Sequence, residues 1–596
     1  MPIYSLNPKC RTFVLRCLLS AAMLCGLAAC GGGGGNGGQA STPTTPTTPT
    51  TPTNPGDTQA PSVPSMLVSS SVTSRRLTLD WAASTDNVAV TSYEVLKDGV
   101  VVATTTSSVR KHSETALSSN SRFIFTVRAK DAAGNVSAQS AGLAITTLGW
   151  PVLGGDPGMG AYRPAASAPA FYIDAVNGND SNTGRSASTA WRTLDRLHNQ
   201  KLGPGDVVRL ARDSVWKNQN LFLDVGSSSA GSAGSPVIIE AYGTGQPPTI
   251  SESRALWDKT KPIAAVVLDS QAKYITILDL RIQDCGEEVG VTLHKDSEGI
   301  VLGNLEILRC GTGIGIAGTN QKVRSCYIHD INRSNSGIGI GFQGSDLEFA
   351  WNRFAGCVTT RADGTEDGAP FEYYGRNVDN LGVETFDLSD NIQIHHNLVD
   401  DCLNFIEAYG NATGMVIAYN LYINSPANPL IFHFDDSEHT TWTHECTYDL
   451  TVENNTFVPK VEATPGGWGA YGLLMDWNHP ADPAKSHVVI RNNILVTNYT
   501  ALSWVNPLGG NLVHDHNLFL FLDKGKLCTN AGVWVQDSSE IIADPKFVNG
   551  TTQDYRLTVD SPAIGKGAPA LYNVDLAGNP VPAGSPSDIG AFQYVP

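Results

Sequence analysis

The chain has 596 residues, 41% of them hydrophobic, and a formal charge of −17 at pH 7. That length exceeds one compact core and accommodates a large domain beside a small one. A surface this acidic excludes nucleic acid as a partner, disfavours polyanionic glycans unless positive charge is gathered locally, and puts neutral or cationic ligands first.

Residues 1–29 read as a signal peptide. Lys9, Arg11 and Arg16 form a positive start, and the apolar run from Cys17 to Leu27 is too short to span a bilayer. It ends in Leu27-Ala28-Ala29-Cys30, which resembles the lipobox of bacterial lipoproteins. The resemblance implies that Cys30 is acylated and becomes the mature N-terminus, giving an exported, membrane-anchored protein. Gly31 rather than Asp after the cysteine implies the outer membrane or cell surface.

Residues 30–58 hold the glycine run Gly31 to Gly35 and then Thr-Pro repeats, with almost nothing apolar to bury. They are expected to be an extended tether. Residues 59–148 predict a small β-sandwich. Leu77 to Trp81 alternates as a strand with an inward Trp, and Tyr93 to Ala103 gives two strands joined at Asp98-Gly99. Phe123 to Ala129 is another alternating strand. These segments resemble a bacterial fibronectin type III domain, which implies a spacer module, with carbohydrate binding as the alternative role. Residues 149–170 are expected to be a linker.

From 171 to 596 the texture is a degenerate repeat, with short Ile, Val and Leu strands separated by Asn, Asp and Gly. Examples are Tyr274 to Ile282, Leu347 to Phe354, Ile392 to Val399, Met415 to Asn420, Leu450 to Asn455, Val488 to Asn493 and Leu512 to Asn517. Several lie about 20 to 26 residues apart, the length of one solenoid coil. The opening (Phe171 to Asp180, Trp191 to Leu194, Gly203 to Asp206, Pro236 to Gly243) resembles that of bacterial right-handed β-helix proteins of the pectate-lyase-like kind. The closing segments (Ser561 to Gly565, Asp588 to Gln593) match them as well. The fold class is therefore all-β: a right-handed parallel β-helix preceded by a small sandwich. The scaffold specifies no single reaction, because it hosts lyases, hydrolases, epimerases and adhesins. Cys285, Cys310, Cys357 and Cys402 each follow an apolar residue by three, with Ile331 in the same phase. They are expected to form a ladder of buried thiols, with a disulfide between neighbouring coils left open.

On a β-helix, ligands lie along a sheet face. Gly313 to Gly318 and Gly337 to Gly341 put glycines between inward isoleucines and predict a smooth outward surface. In Phe405 to Gly410, Glu407 stands where glycine was, and Phe371 to Gly375 brings Glu372 into line. Later coils offer Leu430 to Asp436 and Leu473 to Trp477, so the expected acidic ladder is Glu372, Glu407, His433 or Asp435, and Asp476. Carboxylates on neighbouring coils repel, so one keeps a proton while the other ionises, which is what glycoside hydrolysis requires. Tyr374, Tyr409, Trp442 and Trp477 are the expected sugar-stacking residues. The same acids could instead hold Ca²⁺ or form a solvated strip. His395 and His396 are expected to belong to a turn ladder.

Between Asp363 and Ala484 the basic residues are Arg376 and Lys460 alone, too few to neutralise a uronate without Ca²⁺. Hydrolysis of a neutral or amino-sugar polysaccharide by a monomer without cofactor therefore leads. A polysaccharide lyase with Lys295, Arg324 and Arg333 as its positive strip is the alternative, and a non-catalytic surface adhesin is the third reading. No Walker loop, HExxH helix or GxSxG elbow stands in a credible context.

Overall fold

The computed structural model describes residues 56–596, apart from 152, 166–167, 199, 224–229, 252–263, 271, 334–336, 361–365, 376, 379–383, 386–389, 411, 426–428, 434–447, 460–470, 476–486, 498–499, 505–511, 523–525 and 529–534. The described residues divide into two units, residues 56–150 and Pro151–Pro596. Cys30 and the preceding segment that resembles a lipobox lie outside the described residues.

The smaller unit is a two-sheet antiparallel sandwich. Val68–Ser70, Leu77–Asp80 and Lys111–Glu114 form one sheet; Val100–Thr106, Val90–Lys97, Arg122–Asp131 and Leu143–Thr146 form the other. Alternation turns Leu77, Leu79, Tyr93, Val95, Phe125 and Val127 inward, and Trp81 meets the Tyr93 ring edge-on at 5.7 Å. Asp98 and Gly99 both take positive φ, 48° and 83°, which is the backbone a two-residue hairpin turn demands.

The larger unit is a right-handed parallel β-helix whose coils contribute strands to three long parallel sheets. The first sheet runs from Ala170–Ile173 to Leu512–Asp515, and the second from Val215–Lys217 to Ile541–Ile542. The third runs from Leu221–Leu223 through Thr312–Ile316, Ile338–Phe342, Phe371–Gly375 and Ile406–Gly410 to Leu430–His433. Every coil turns aliphatic or aromatic residues into one shared core. Ile277, Ile282, Val291, Leu302, Ile307 and Ile314 line the early coils at 0% exposure. From Phe342 onward the filling becomes aromatic. Phe371 packs between Phe354 at 4.8 Å and Phe405 at 5.4 Å, and Tyr373 lies 5.3 Å from Phe342.

The turn from first to second sheet pairs a left-handed residue with a buried asparagine. Trp351, His396, Tyr419, Asn454, Asn492 and His516 have φ between 52° and 60°. Asn352, Asn397, Asn420, Asn455, Asn493 and Asn517 follow them and are 2% exposed or less. Each asparagine of this row receives the backbone amide and the Nδ2 of its predecessor on its Oδ1, from Asn352 onto Asn397 through to Asn493 onto Asn517. The row satisfies backbone groups that a tight turn leaves unpaired.

The stretch 149–170 is not a free linker. Arg163 pairs with Asp279 at 2.6 Å, and Asp156 receives Arg324 Nη2 at 2.6 Å, so this segment lies along the first sheet. A buried ion pair, Asp156 with Arg324, and a more exposed one, Arg163 with Asp279, hold it there, which hydrophobicity alone does not reveal.

Candidate active site

Side chains on the third sheet alternate between the core and the outer face. Phe371 and Tyr373 are fully buried, so Glu372 between them points out; Glu407 stands likewise between Ile406 and Ala408. Parallel pairing runs Thr292, Gly315, Gly341, Glu372, Glu407 and Ile431 into one register row. Glu372 and Glu407 are thus directly opposite on adjacent strands, both half-buried. Neighbouring strands stand about 4.8 Å apart, so the two side chains leave the sheet side by side. The Tyr374 hydroxyl donates to Glu372 Oε1. Two residues along the strands runs a second row, Tyr374, Tyr409 and His433.

That register corrects one element of the expected ladder. His433 stands in line with Tyr409, and the partner of Glu407 is Ile431. Both positions share the outward phase, so alternation alone could not separate them; hydrogen-bond register does. The side chains of Tyr409 and His433, and the whole of Asp435, Asp476, Trp442 and Trp477, lie outside the described residues.

The glycines divide into two kinds. A Cβ on Gly313 would meet Gly339 O at 2.5 Å and Ile328 Cγ2 at 2.9 Å, so that glycine serves coil packing. A Cβ on Gly315 would find nothing nearer than Val289 Cγ1 at 3.8 Å. The smooth outward surface therefore rests on Gly315 and not on Gly313.

The three cations offered for a lyase do not form a strip. Lys295 follows a third-sheet strand and pairs with Asp296 at 2.9 Å. Arg333 lies beyond the second sheet in the turn toward the third. Arg324 is a first-sheet residue, 9% exposed and held by Asp156 and Glu348. The sequence places the three at different corners of the coil, and a linear reading could not see the corners.

His395 and His396 also belong to the first sheet and its turn. His396 is sandwiched between Trp351 at 4.4 Å and Tyr419 at 5.2 Å, and its Nε2 lies 3.0 Å from Val574 O. Burial, then the neighbouring His395, pushes its imidazole down to about 3. Burial opposes the Glu348 charge, yet hydrogen bonds from His395 and Lys322 and the charge of Arg324 hold it well below the ordinary carboxylate range. This cluster packs under the C-terminal segment that carries Tyr572 and Val574 and clamps that segment to the coil.

Among the described residues one group of three or more metal-ligating side chains converges, Asp57, Asp86 and Asp131, with carboxylate oxygens within 4.8 Å of one another. It belongs to the smaller unit, not to the Glu372 and Glu407 face.

A family described as "Right handed beta helix region" matches residues 264–457, which include both glutamates. Chitinase Chi52 of Paenibacillus xylanexedens is 50% identical over 91 residues, 15% of this chain and 17% of that protein. A lacto-N-biosidase of Bifidobacterium longum is 26% identical over 198 residues, 28% of this chain and 12% of that protein. Among solved structures, a GH136 lacto-N-biosidase from Eubacterium ramulus superposes with a TM-score of 0.34 at 16% identity, covering 63% of this chain and 67% of that one. The chain spans less than a fifth of the length of the first curated relatives.

Proposed function

We propose that this protein is a carbohydrate-active enzyme that hydrolyses glycosidic bonds in an extracellular neutral or amino-sugar polysaccharide, with Glu372 and Glu407 as its reacting pair. The observation that carries the reading is their direct opposition in register on adjacent strands of an outward face. A separation near that of neighbouring strands, about 5 Å, suits retention of configuration; inversion needs roughly 6.5 to 9.5 Å. Glu372, which accepts the Tyr374 hydroxyl, suits the ionised nucleophile, because a donated hydrogen bond favours the charged form. Glu372 attacks the anomeric carbon while Glu407 gives its proton to the leaving oxygen. Glu407 then takes a proton from water, which displaces Glu372 and frees the sugar. Tyr374 lies two residues along its strand from Glu372, where its ring can line the sugar, and Tyr409 stands opposite it in register. No cofactor enters these steps.

Naming of several relatives as chitinases, exoglucanases and a biosidase supports the hydrolytic reading. The smaller unit fits a fibronectin type III spacer, and the lipobox at Cys30 fits an exported protein that holds its glycan site away from the membrane. The test is Glu407→Gln, an isosteric change that keeps the coil and removes the proton. Loss of turnover by a factor of about 10² to 10⁴ with an unchanged circular dichroism spectrum is expected. An unchanged rate removes Glu407 from the mechanism.

A further inference from the structure

Two cysteines of the thiol ladder stand apart from the rest. Cys285 and Cys310 occupy the same position on adjacent coils, just after the second-sheet strands Arg281–Gln283 and Glu306–Leu308, which pair with Ile282 opposite Ile307 and Gln283 opposite Leu308. The residue before each cysteine turns the chain in the left-handed conformation, Asp284 at φ 57° and Arg309 at φ 53°. Both thiols are 0% exposed, and the Cys310 Sγ lies 2.7 Å from the Cys285 Sγ. A sulfur pair that close is well inside van der Waals contact and approaches an S–S bond of roughly 2.0 Å. Parallel neighbours about 4.8 Å apart also fall within the Cα spacing that a disulfide spans, roughly 4.4 to 6.8 Å.

The surroundings select this pair. On the outside of the same two turns Arg309 grips Asp284 through 2.5 and 2.9 Å hydrogen bonds, so the two coils are already registered at this point. Ile331 occupies the next rung and separates Cys310 from Cys357. Further along, Cys402 Sγ accepts the Cys357 backbone amide at 3.4 Å. Cys326 belongs to the other turn of the coil, where its Sγ lies 3.6 Å from Leu302 O.

We propose that Cys285 and Cys310 are an oxidation site and form a disulfide that staples two successive coils, 25 residues apart, just ahead of the outward row that leads to Glu372. The two thiols lose two protons and two electrons to the disulfide of a thiol–disulfide oxidoreductase or of oxidised glutathione, which leaves as two thiols. Complete burial confines that exchange to folding, before the coils close, and shields the finished bond from reductant in the native protein.

The experiment expresses the full chain into an oxidising bacterial periplasm, denatures it without reductant, alkylates it and maps tryptic peptides. Ile282 to Lys295 and Cys310 to Lys322 each contain one cysteine, and a linked species of these two, lighter by two hydrogens and unalkylated, is expected. Dithiothreitol should leave that link intact in the native protein and cleave it after denaturation. In Cys310→Ala the peptide Ile282 to Lys295 should be recovered alkylated. Recovery of both wild-type peptides singly alkylated, or linkage of either to Cys326, Cys357 or Cys402, overturns the proposal.

Discussion

Replacing Asn420 by alanine breaks the asparagine row at its middle. Asn420 is 0% exposed; its Nδ2 donates to Ile394 O at 2.9 Å and Asn455 Oδ1 at 3.0 Å, and its Oδ1 accepts the Asn397 amide and Nδ2, both at 2.9 Å. Alanine removes all four bonds. Asn397 Nδ2 keeps Phe349 O and His395 O, and Asn455 Oδ1 keeps the residue 420 amide, so the group left without its side-chain acceptor is the buried Asn397 N–H. Stranding one buried donor costs about 1 to 3 kcal/mol, and the weaker losses at the other partners bring the total to about 2 to 4 kcal/mol. Urea unfolding followed by far-ultraviolet circular dichroism should show a lower midpoint with an unchanged slope. Asn420→Leu should be no better, although leucine fills the equivalent position at Leu280 and Leu305, because it too leaves the Asn397 amide unpaired. A cost below about 0.5 kcal/mol, or full recovery with leucine, would refute the claim that hydrogen bonding and not volume holds this turn.

Three further outcomes follow from the same packing. His396 is neutral in the fold with its imidazole pushed to about 3 from 6.5, so its contribution is present above pH 6.5 and falls as the pH drops toward 3, by about 1.4 kcal/mol per unit. His396→Phe, which keeps the ring stack, should flatten the loss of thermal midpoint between pH 7 and 5; identical profiles would sink the assignment. Buried Glu453 and Asp575 are shifted upward and act in the opposite sense, which is why the comparison with the variant and not the bare profile is decisive. Gly313→Ala should destabilise by about 1 to 3 kcal/mol, whereas Gly315→Ala on the same strand should cost under about 0.5 kcal/mol, in side-by-side denaturation curves. Proton NMR of the first product should show the anomeric configuration of the substrate retained, and an inverted product would contradict the adjacent-coil pairing.

Much of this molecule was legible from one dimension because a solenoid repeats in one dimension. Ile392-Gln-Ile and Val488-Val-Ile announce first-sheet strands by alternation, and the asparagines after them mark the turn. Glu372 could be aligned with Glu407 despite the intervening insertion because each sits between inward apolar residues of otherwise similar strands. Alternation has a period of two, however, and leaves register free by two: His433 could be set against Glu407 when its partner is Tyr409. Corners were less visible still. Arg324 and Lys295 look like one positive strip in a linear reading but leave the coil on different sheets. The role of 156–163 as a strap on the first sheet was hidden because its anchors, Asp156 to Arg324 and Arg163 to Asp279, join residues more than a hundred positions apart.

The central claim is that paired carboxylates on this sheet hydrolyse a glycan. The most direct measurement incubates the wild-type chain and Glu407→Gln with a panel of neutral, amino-sugar and uronic-acid polysaccharides, with and without chelator, reading reducing ends and ultraviolet absorbance together. New reducing ends without absorbance, insensitive to chelator and lost in the variant, are the predicted result. Absorbance of an unsaturated uronate that chelator abolishes, or reducing ends made equally well by Glu407→Gln, would contradict it.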